Sequence, residues 1–360
     1  MIENARIIPL SPVSWGDGVE RDVALLELTT PEGITGIGSA YTGVNPLREA
    51  LRRYQRDPAI LHSADPEMTI AMSAIDIALW DIRGKKENLP VSELLGGRKH
   101  DRILPYATVI LPMTSAAAGD AFDRGIRSIV DQGFRAIKLC IDYFGHRDKS
   151  RSDEEWDLRE ANLLKFARKT VGEDVKLMLD VGSSDPEWAG DLEWALKTAR
   201  MLEELDYVWF EEPLAPKALE DYVRLTRLAD IAIAGGEDFI VLKDFENLSN
   251  MKALDILQPD CTRVGGLTRM QSIRDAANIN GIRLIPHGWN TAVGLAADLQ
   301  IQATMADDTY CMVEYMPHRM IRDLLKHDPF SLDNEGRITV PTGAGLGIEL
   351  NDEFRNYAVC

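Results

Sequence analysis

Six ionisable residues recur at or just beyond the ends of short apolar runs. Asp180 closes KLMLD, Glu211 closes YVWFE, Glu237 follows AIAGG, Asp260 follows ILQP, His287 closes RLIPH and Glu314 closes CMVE. Successive gaps are 31, 26, 23, 27 and 27 residues, each the length of one strand plus one helix. One acid at a strand end is commonly the N-cap of the next helix; six in register point to side chains delivered to one place. Asp180, Glu211 and Glu237 are consecutive carboxylates that cannot all stay ionised at close range without a cation. An all-oxygen donor set suits a hard ion, Mg²⁺ or alternatively Mn²⁺. The plainer alternative is that some of them pair with Lys or Arg. Asp260 and His287 come from adjacent units. A carboxylate on one imidazole nitrogen fixes the tautomer and leaves the other nitrogen free as a base.

A cation is available from another run, AIKLCI. Its alternation puts Ala136, Lys138 and Cys140 on one face and Ile137, Leu139 and Ile141 on the other. If the isoleucine and leucine face helices, Lys138 points inward, where burial is costly unless it meets anions.

Positioning such residues requires repeated βα units. Strands are predicted at Tyr106–Ile110, Ala136–Ile141, Lys176–Asp180, Tyr207–Glu211, Ile231–Ala234, Asp255–Gln258, Arg283–His287 and Cys311–Glu314, with helices such as Ala161–Val171 and Met270–Asn280 between them. Eight strands joined by helices fit a (β/α) barrel better than an open doubly wound sheet, and in a barrel the C-terminal strand ends carry the active site. Upstream, RDVALLELTT-PEG-ITGIGSA reads as a β-hairpin and residues 67–97 as a helix followed by a Gly-terminated loop. The tail from Phe330 is β-like and is expected to return onto the N-terminal hairpin.

The chain has 360 residues, 45% hydrophobic and 27% charged, the balance of a globular protein with a large core. With 40 basic and 58 acidic residues the net charge is −18, which disfavours nucleic acid and anionic membrane as partners. Cys140, Cys261, Cys311 and Cys360 show no C-x-x-C spacing. With neither a signal sequence nor an apolar run long enough to span a bilayer, a cytoplasmic location is expected.

SAIDIALWDIRGK with LLGG after it, then LMLD, WFEEP, GGED, QPD, PHGWN, VEY and PTGAGLGIEL, resemble in this order the motifs of the enolase superfamily, mandelate racemase-like branch. The resemblance covers nearly the whole chain. It implies a (β/α)₇β barrel (101–327) under an α+β capping domain made of residues 1–100 and completed by 328–360. It also implies Mg²⁺ on Asp180, Glu211 and Glu237, a His287–Asp260 dyad, Glu314 as a site acid on the last strand, and a homo-oligomer. There are departures. The branch's K-x-K is here Lys138-Leu139-Cys140, so a second base is absent, which argues against a racemase; Cys140 is expected to be inert. Val181-Gly182 follow Asp180 where the branch has D-x-N. Ser39 stands where an acid is usual. Further substrate contacts are expected from Trp15, Arg21, His146 and Trp289, with Asn290 beside it; a packed Trp and a surface Arg are the ordinary alternatives.

The chemistry expected is removal of the proton α to a carboxylate by neutral His287, giving an enediolate stabilised by Mg²⁺ and Lys138. Expulsion of a β-hydroxyl would make the enzyme a sugar-acid (aldonate or aldarate) dehydratase. Opening of a lactone or anhydro ring would make it a cycloisomerase. Epimerisation, or binding of an acid sugar without turnover, are further alternatives.

Overall fold

The computed structural model describes residues 2–10, 13–14, 20–62, 65–111, 118–141, 152–182, 191–306, 310–316 and 323–355. Three antiparallel strands, β1 (Asn4–Pro9), β4 (Ala24–Thr29) and β5 (Thr35–Ala40), form the first sheet in the order β1-β4-β5; β2 (Val13–Ser14) and β3 (Glu20–Arg21) pair separately. The expected hairpin is the β4–β5 pair. Helices α1 (Val44–Arg56) and α2 (Pro66–Glu87) cover this sheet, burying Ile7, Leu26, Leu28, Leu47, Met72 and Ile75 in one cluster. Asp65 accepts from Met68 N–H at 2.9 Å and Pro66 sits in the first turn, so α2 starts where capping chemistry directs. Its contact with β5 is backbone to backbone: a Cβ at Gly36 or Gly38 would overlap the carbonyl oxygens of Ala78 or Ala74.

After the short α3 (Val91–Leu94) the βα units follow: β6 (Arg102–Leu111), α4 (Ala118–Asp131), β7 (Ala136–Ile141), α5 (Asp153–Val171), β8 (Lys176–Asp180), α6 (Leu192–Glu204), β9 (Tyr207–Glu211), α7 (Leu219–Leu228), β10 (Ala232–Gly235), α8 (Leu242–Met251), β11 (Ile256–Leu257), α9 (Leu267–Asn280), β12 (Arg283–Leu284), α10 (Ala292–Gln302) and β13 (Met312–Tyr315). These eight strands run parallel in the order β12-β11-β10-β9-β8-β7-β6-β13. The last in sequence thus lies beside the first. Leu104, Tyr106, Ala136, Met178, Trp209, Ala234, Ile256, Ile285 and Met312 form one buried cluster drawn from seven of the strands and from the residue just after β12. Tyr106 of β6 and Trp209 of β9 stand three strands apart in that strand order, yet their ring centroids are 5.2 Å apart, so the sheet curls around this cluster as the filled interior of a barrel. The helices pack outside it on Ile137, Leu139, Leu177, Leu179, Phe210 and Ile233.

Some boundaries differ from the sequence prediction. The strands expected at Asp255–Gln258 and Arg283–His287 shrink to two residues each, because Pro259 and Pro286 interrupt the ladder. Irregular bonds carry the pairing onward: Ile285 N–H donates to Leu257 O at 3.0 Å and His287 N–H to Pro259 O at 3.2 Å. Helix α5 begins well before Ala161, at a capping box of Ser152 and Glu155.

The tail does not join the N-terminal sheet. Strand β14 (Ile338–Thr339) pairs antiparallel with β6, Gly345 bridges Pro90, and Leu346 N–H donates to Asp81 of α2 at 2.8 Å. The hairpin's α2-facing surface is already filled by that helix, so the tail docks on α2, α3 and the barrel instead. No helix among the described residues is long and apolar enough to cross a membrane.

Candidate active site

Alternation along β7 sends Ala136 into the interior cluster, Ile137 and Leu139 outward, and Lys138 into the upper barrel, where it is 1% exposed. Three carboxylates meet its ammonium. Nζ lies 2.5 Å from Glu211 Oε1, 3.1 Å from Asp180 Oδ2 and 3.1 Å from Glu314 Oε1. Each acid is held by further donors. Glu211 Oε2 accepts from Trp209 Nε1 at 2.9 Å and Gln258 Nε2 at 2.8 Å. Asp180 Oδ1 accepts from Gly182 N–H at 2.8 Å. Glu314 accepts from the Thr108 hydroxyl and, at 2.8 Å, from Gly288 N–H, a bond that spans the seam between β12 and β13.

Opposite this cluster lies the dyad. His287 Nδ1 is 2.9 Å from Asp260 Oδ2, and His287 Nε2 is 3.3 Å from Glu237 Oε2. Asp260 is fully buried; its Oδ1 accepts from both the backbone N–H and the hydroxyl of Thr262, each at 2.7 Å. Burial opposes a charged imidazole, but the Glu237 carboxylate and the Asp260 hydrogen bond prevail and push the His287 pKa up to about 10. Nε2 is therefore not free in this arrangement, as the sequence reading had it, but faces a carboxylate that favours the imidazolium.

The field around the carboxylates is short of positive charge. Burial, only partly offset by Lys138, pushes Glu211 up to about 8. Glu237 is raised by burial, which the His287 charge only partly offsets. Glu314 runs the other way: Lys138 and His287 overcome its burial and hold it below the usual carboxylate range. Glu212, the second acid of WFEEP, is buried, sits at φ 47° and is raised well above its ordinary value by burial and then by Glu237. A non-glycine residue in that backbone region is strained, and its occurrence beside a buried acid cluster is typical of functional sites. An all-oxygen set with surplus negative charge fits a hard divalent cation. As the side chains stand, no three His, Cys, Asp or Glu among the described residues are gathered in ligating geometry.

Residues 121–354 match the family described as enolase C-terminal domain-like, and residues 46–96 match the N-terminal domain of the mandelate racemase / muconate lactonizing enzyme family. The chain belongs to this family. Among relatives in the mandelate racemase / muconate lactonizing enzyme family, it is 30% identical over 364 residues to D-galactarolactone cycloisomerase of Agrobacterium fabrum, covering 92% of this chain and 90% of that protein. It is 31% identical over 287 residues to arabinonate dehydratase of Saccharolobus solfataricus, covering 79% and 71%. Its fold superposes on the crystal structure of the 3,6-anhydro-D-galactonate cycloisomerase from Zobellia galactanivorans with a TM-score of 0.81 at 26% identity, covering 100% of this chain and 99% of that one.

The structure brings together Lys138, Asp180, Glu211, Glu237, Asp260, His287 and Glu314, the residues to which the family resemblance pointed. Cys140 is buried, and burial and then the Asp180 charge push its thiol well above the ordinary value, as suits an inert residue. Trp289 packs in a small apolar cluster with Val23 and Met316. Asn290 donates to Asp298 at 3.0 Å. Ser39 accepts from the Thr291 hydroxyl at 3.1 Å. Trp15 and His146 lie outside the described residues, and Arg21 is placed in β3 without a described side chain. Sequence reasoning missed Thr108, Trp209, Gln258 and Thr262. Trp209 could have been found, since it shares the inward face of YVWFE with Glu211. Thr262 could have been suggested by its place two residues after Asp260, where an Asx-type bond can form.

Proposed function

We propose that this chain is a divalent-cation-dependent sugar-acid dehydratase, with residues 101–327 as the catalytic barrel and 1–100 plus 328–360 as its cap. Asp180, Glu211 and Glu237 would hold Mg²⁺, or Mn²⁺ in its place. Bound there, the ion supplies Lewis-acid charge to a substrate carboxylate oxygen and so eases loss of the α-proton. His287 takes that proton on Nε2, while Asp260 holds Nδ1. To act as a base His287 must be neutral, so the Glu237 charge that now favours the imidazolium has to be held by another cation, which its role as a ligand provides. As the α C–H bond breaks, its electron pair forms the C=C bond and the β C–O bond breaks. The departing hydroxide takes from His287 the proton that the imidazole had removed and leaves as water, which returns His287 to its neutral form, and the enol ketonises to a 2-keto-3-deoxy acid. Lys138 adds positive charge beside the substrate carboxylate. Glu314, fixed by Thr108 and Gly288, borders the same space.

The observation that carries this reading is that, among the described residues, a single buried dyad faces a carboxylate cluster that has one lysine and, at position 140, a cysteine. That arrangement supports one base acting on one face, which suits elimination and disfavours racemisation. A cycloisomerase is the second reading, favoured by the relative that aligns over 92% of this chain. A lactone ring oxygen leaves as a carboxylate and needs no acid, so the same dyad would serve.

Proton NMR in D₂O with Mg²⁺ and a panel of aldonates, aldarates and their lactones separates the two. A 2-keto-3-deoxy product from an open-chain acid supports the dehydratase, whereas product from a lactone or anhydro acid alone supports the cycloisomerase. Chelation should abolish turnover and Mg²⁺ or Mn²⁺ restore it. His287→Asn should remove α-proton exchange while ligand still binds. Exchange persisting in that variant would refute the assignment of the base.

A further inference from the structure

The Asp260 carboxylate has a demanding task. It must present one oxygen to His287, yet the terminal torsion of an aspartate is broad and intrinsically undirected. Burial removes water as a partner for the other oxygen, so that oxygen must be satisfied by protein donors. One residue meets the whole requirement: Thr262 donates its backbone N–H and its hydroxyl to Asp260 Oδ1, both at 2.7 Å. Two donors converging on Oδ1 lock the carboxylate plane and leave Oδ2 aimed at His287 Nδ1, 2.9 Å away.

Thr262 is itself held from outside the barrel. Its carbonyl accepts at 3.2 Å from the N–H of Tyr41, the residue just after β5 of the N-terminal sheet. The same strand's Ser39 accepts from Thr291 at 3.1 Å, in the loop that carries His287. Both loops of the dyad are thus pinned to one strand of the cap. Thr262 is 1% exposed, so no solvent competes for its hydroxyl.

We propose that Thr262 is a positioning residue for the dyad, whose hydroxyl sets the orientation of Asp260 and transmits the seat of the cap to His287. The proposal rests on the reading of His287 as the base, and its test separates the two. Thr262→Val removes the hydroxyl while keeping the methyl volume and the backbone N–H; Thr262→Ser keeps the hydroxyl and loses the methyl. With the acid that turns over in the panel, kcat should fall about tenfold to a hundredfold in Thr262→Val, the range for one hydrogen bond to a buried charged acceptor, with KM little changed. Thr262→Ser should restore most of the rate.

In protein labelled with ¹⁵N-histidine, the low-field Nδ1–H resonance of His287, assigned by its loss in His287→Asn, should broaden or shift upfield in Thr262→Val and persist in Thr262→Ser. If wild-type protein turns over no acid of the panel, the base reading fails, and this resonance still decides the role of Thr262. A Thr262→Val protein with wild-type resonance and kcat would overturn the proposal, as would a Thr262→Ser protein that falls as far as the valine variant. Should Thr262→Val fail to fold, Thr262→Ala against Thr262→Ser makes the same comparison, and equal behaviour of those two overturns it.

Discussion

Replacing Lys138 by methionine removes the only cation among the described residues that touches Asp180, Glu211 and Glu314 at once, and keeps nearly the same side-chain length. The distances fix the gross electrostatic loss. At an effective dielectric constant of about 20, a contact of 2.5 Å is worth about 7 kcal/mol, and each of the two at 3.1 Å about 5 kcal/mol. Against this stands the cost of keeping a lysine that is 1% exposed away from water, several kcal/mol for a buried ion. The three acids would remain buried with less to offset them, and truncation of one partner of such a cluster typically costs about 3–5 kcal/mol.

We expect Lys138→Met to lose about that much in equilibrium urea unfolding at pH 9, above the Glu211 pKa of about 8, with chelator present. Adding Glu211→Gln to the variant should recover part of the loss, because one of the stranded charges is then gone. A loss below about 1 kcal/mol would refute the reasoning. It would mean that the acids are already neutral or that the lysine's desolvation cost cancels its attractions. A double variant less stable than Lys138→Met would refute the charge argument specifically.

Other outcomes follow from other parts of the fold. Asp76 of α2 is buried and accepts from Thr268 N–H at 2.9 Å and the Thr268 hydroxyl at 2.5 Å, and burial raises its pKa from 3.8 to about 6. A carboxyl raised in the folded state costs stability that is fully present above pH 6 and relieved as pH falls toward 4, a span of about 3 kcal/mol. Asp76→Asn should therefore gain on wild type by about that amount between pH 4 and 7 in denaturant unfolding; parallel curves would contradict the shift. Gly38→Ala should destabilise the cap by about 1–3 kcal/mol or more, since its methyl would meet the Ala74 carbonyl oxygen of α2, which cannot retreat without moving the helix. Calorimetry giving an unchanged melting temperature for that variant would mean that the sheet and α2 are less tightly seated than described.

The strand-end acids and the dyad histidine were legible because a parallel barrel converts a linear interval into a spatial register. Once residues 180, 211 and 237 recur at one βα unit each, the fold leaves their side chains little choice of place. The alternation in AIKLCI likewise committed Lys138 to the interior, where it is found. The short β11 and β12 were harder to bound, because the prolines that interrupt their ladders sit inside the apolar runs that announced them. The tail was harder to place for a different reason: its β-like texture carries no address, and its partners, β6, Pro90 and the Asp81 that also binds Ile37 of the hairpin, are more than 200 residues away in the chain.

What the intervals could not reveal is which charges meet. Five acids and two bases converge here, and residue types alone are compatible with several pairings. In the structure Lys138 takes Asp180, Glu211 and Glu314, leaving Glu237 to His287. That division has a chemical consequence. The acid proposed to complete the cation site is the same acid whose charge favours the His287 imidazolium, so under the proposed function occupancy of the site and basicity of His287 would be two descriptions of where the Glu237 charge is spent. A chain in which a surface lysine had met Glu237 would carry the same motifs at the same intervals and lack that link. The proposed coupling would reside in the 3.3 Å between Glu237 and His287, which no one-dimensional pattern encodes.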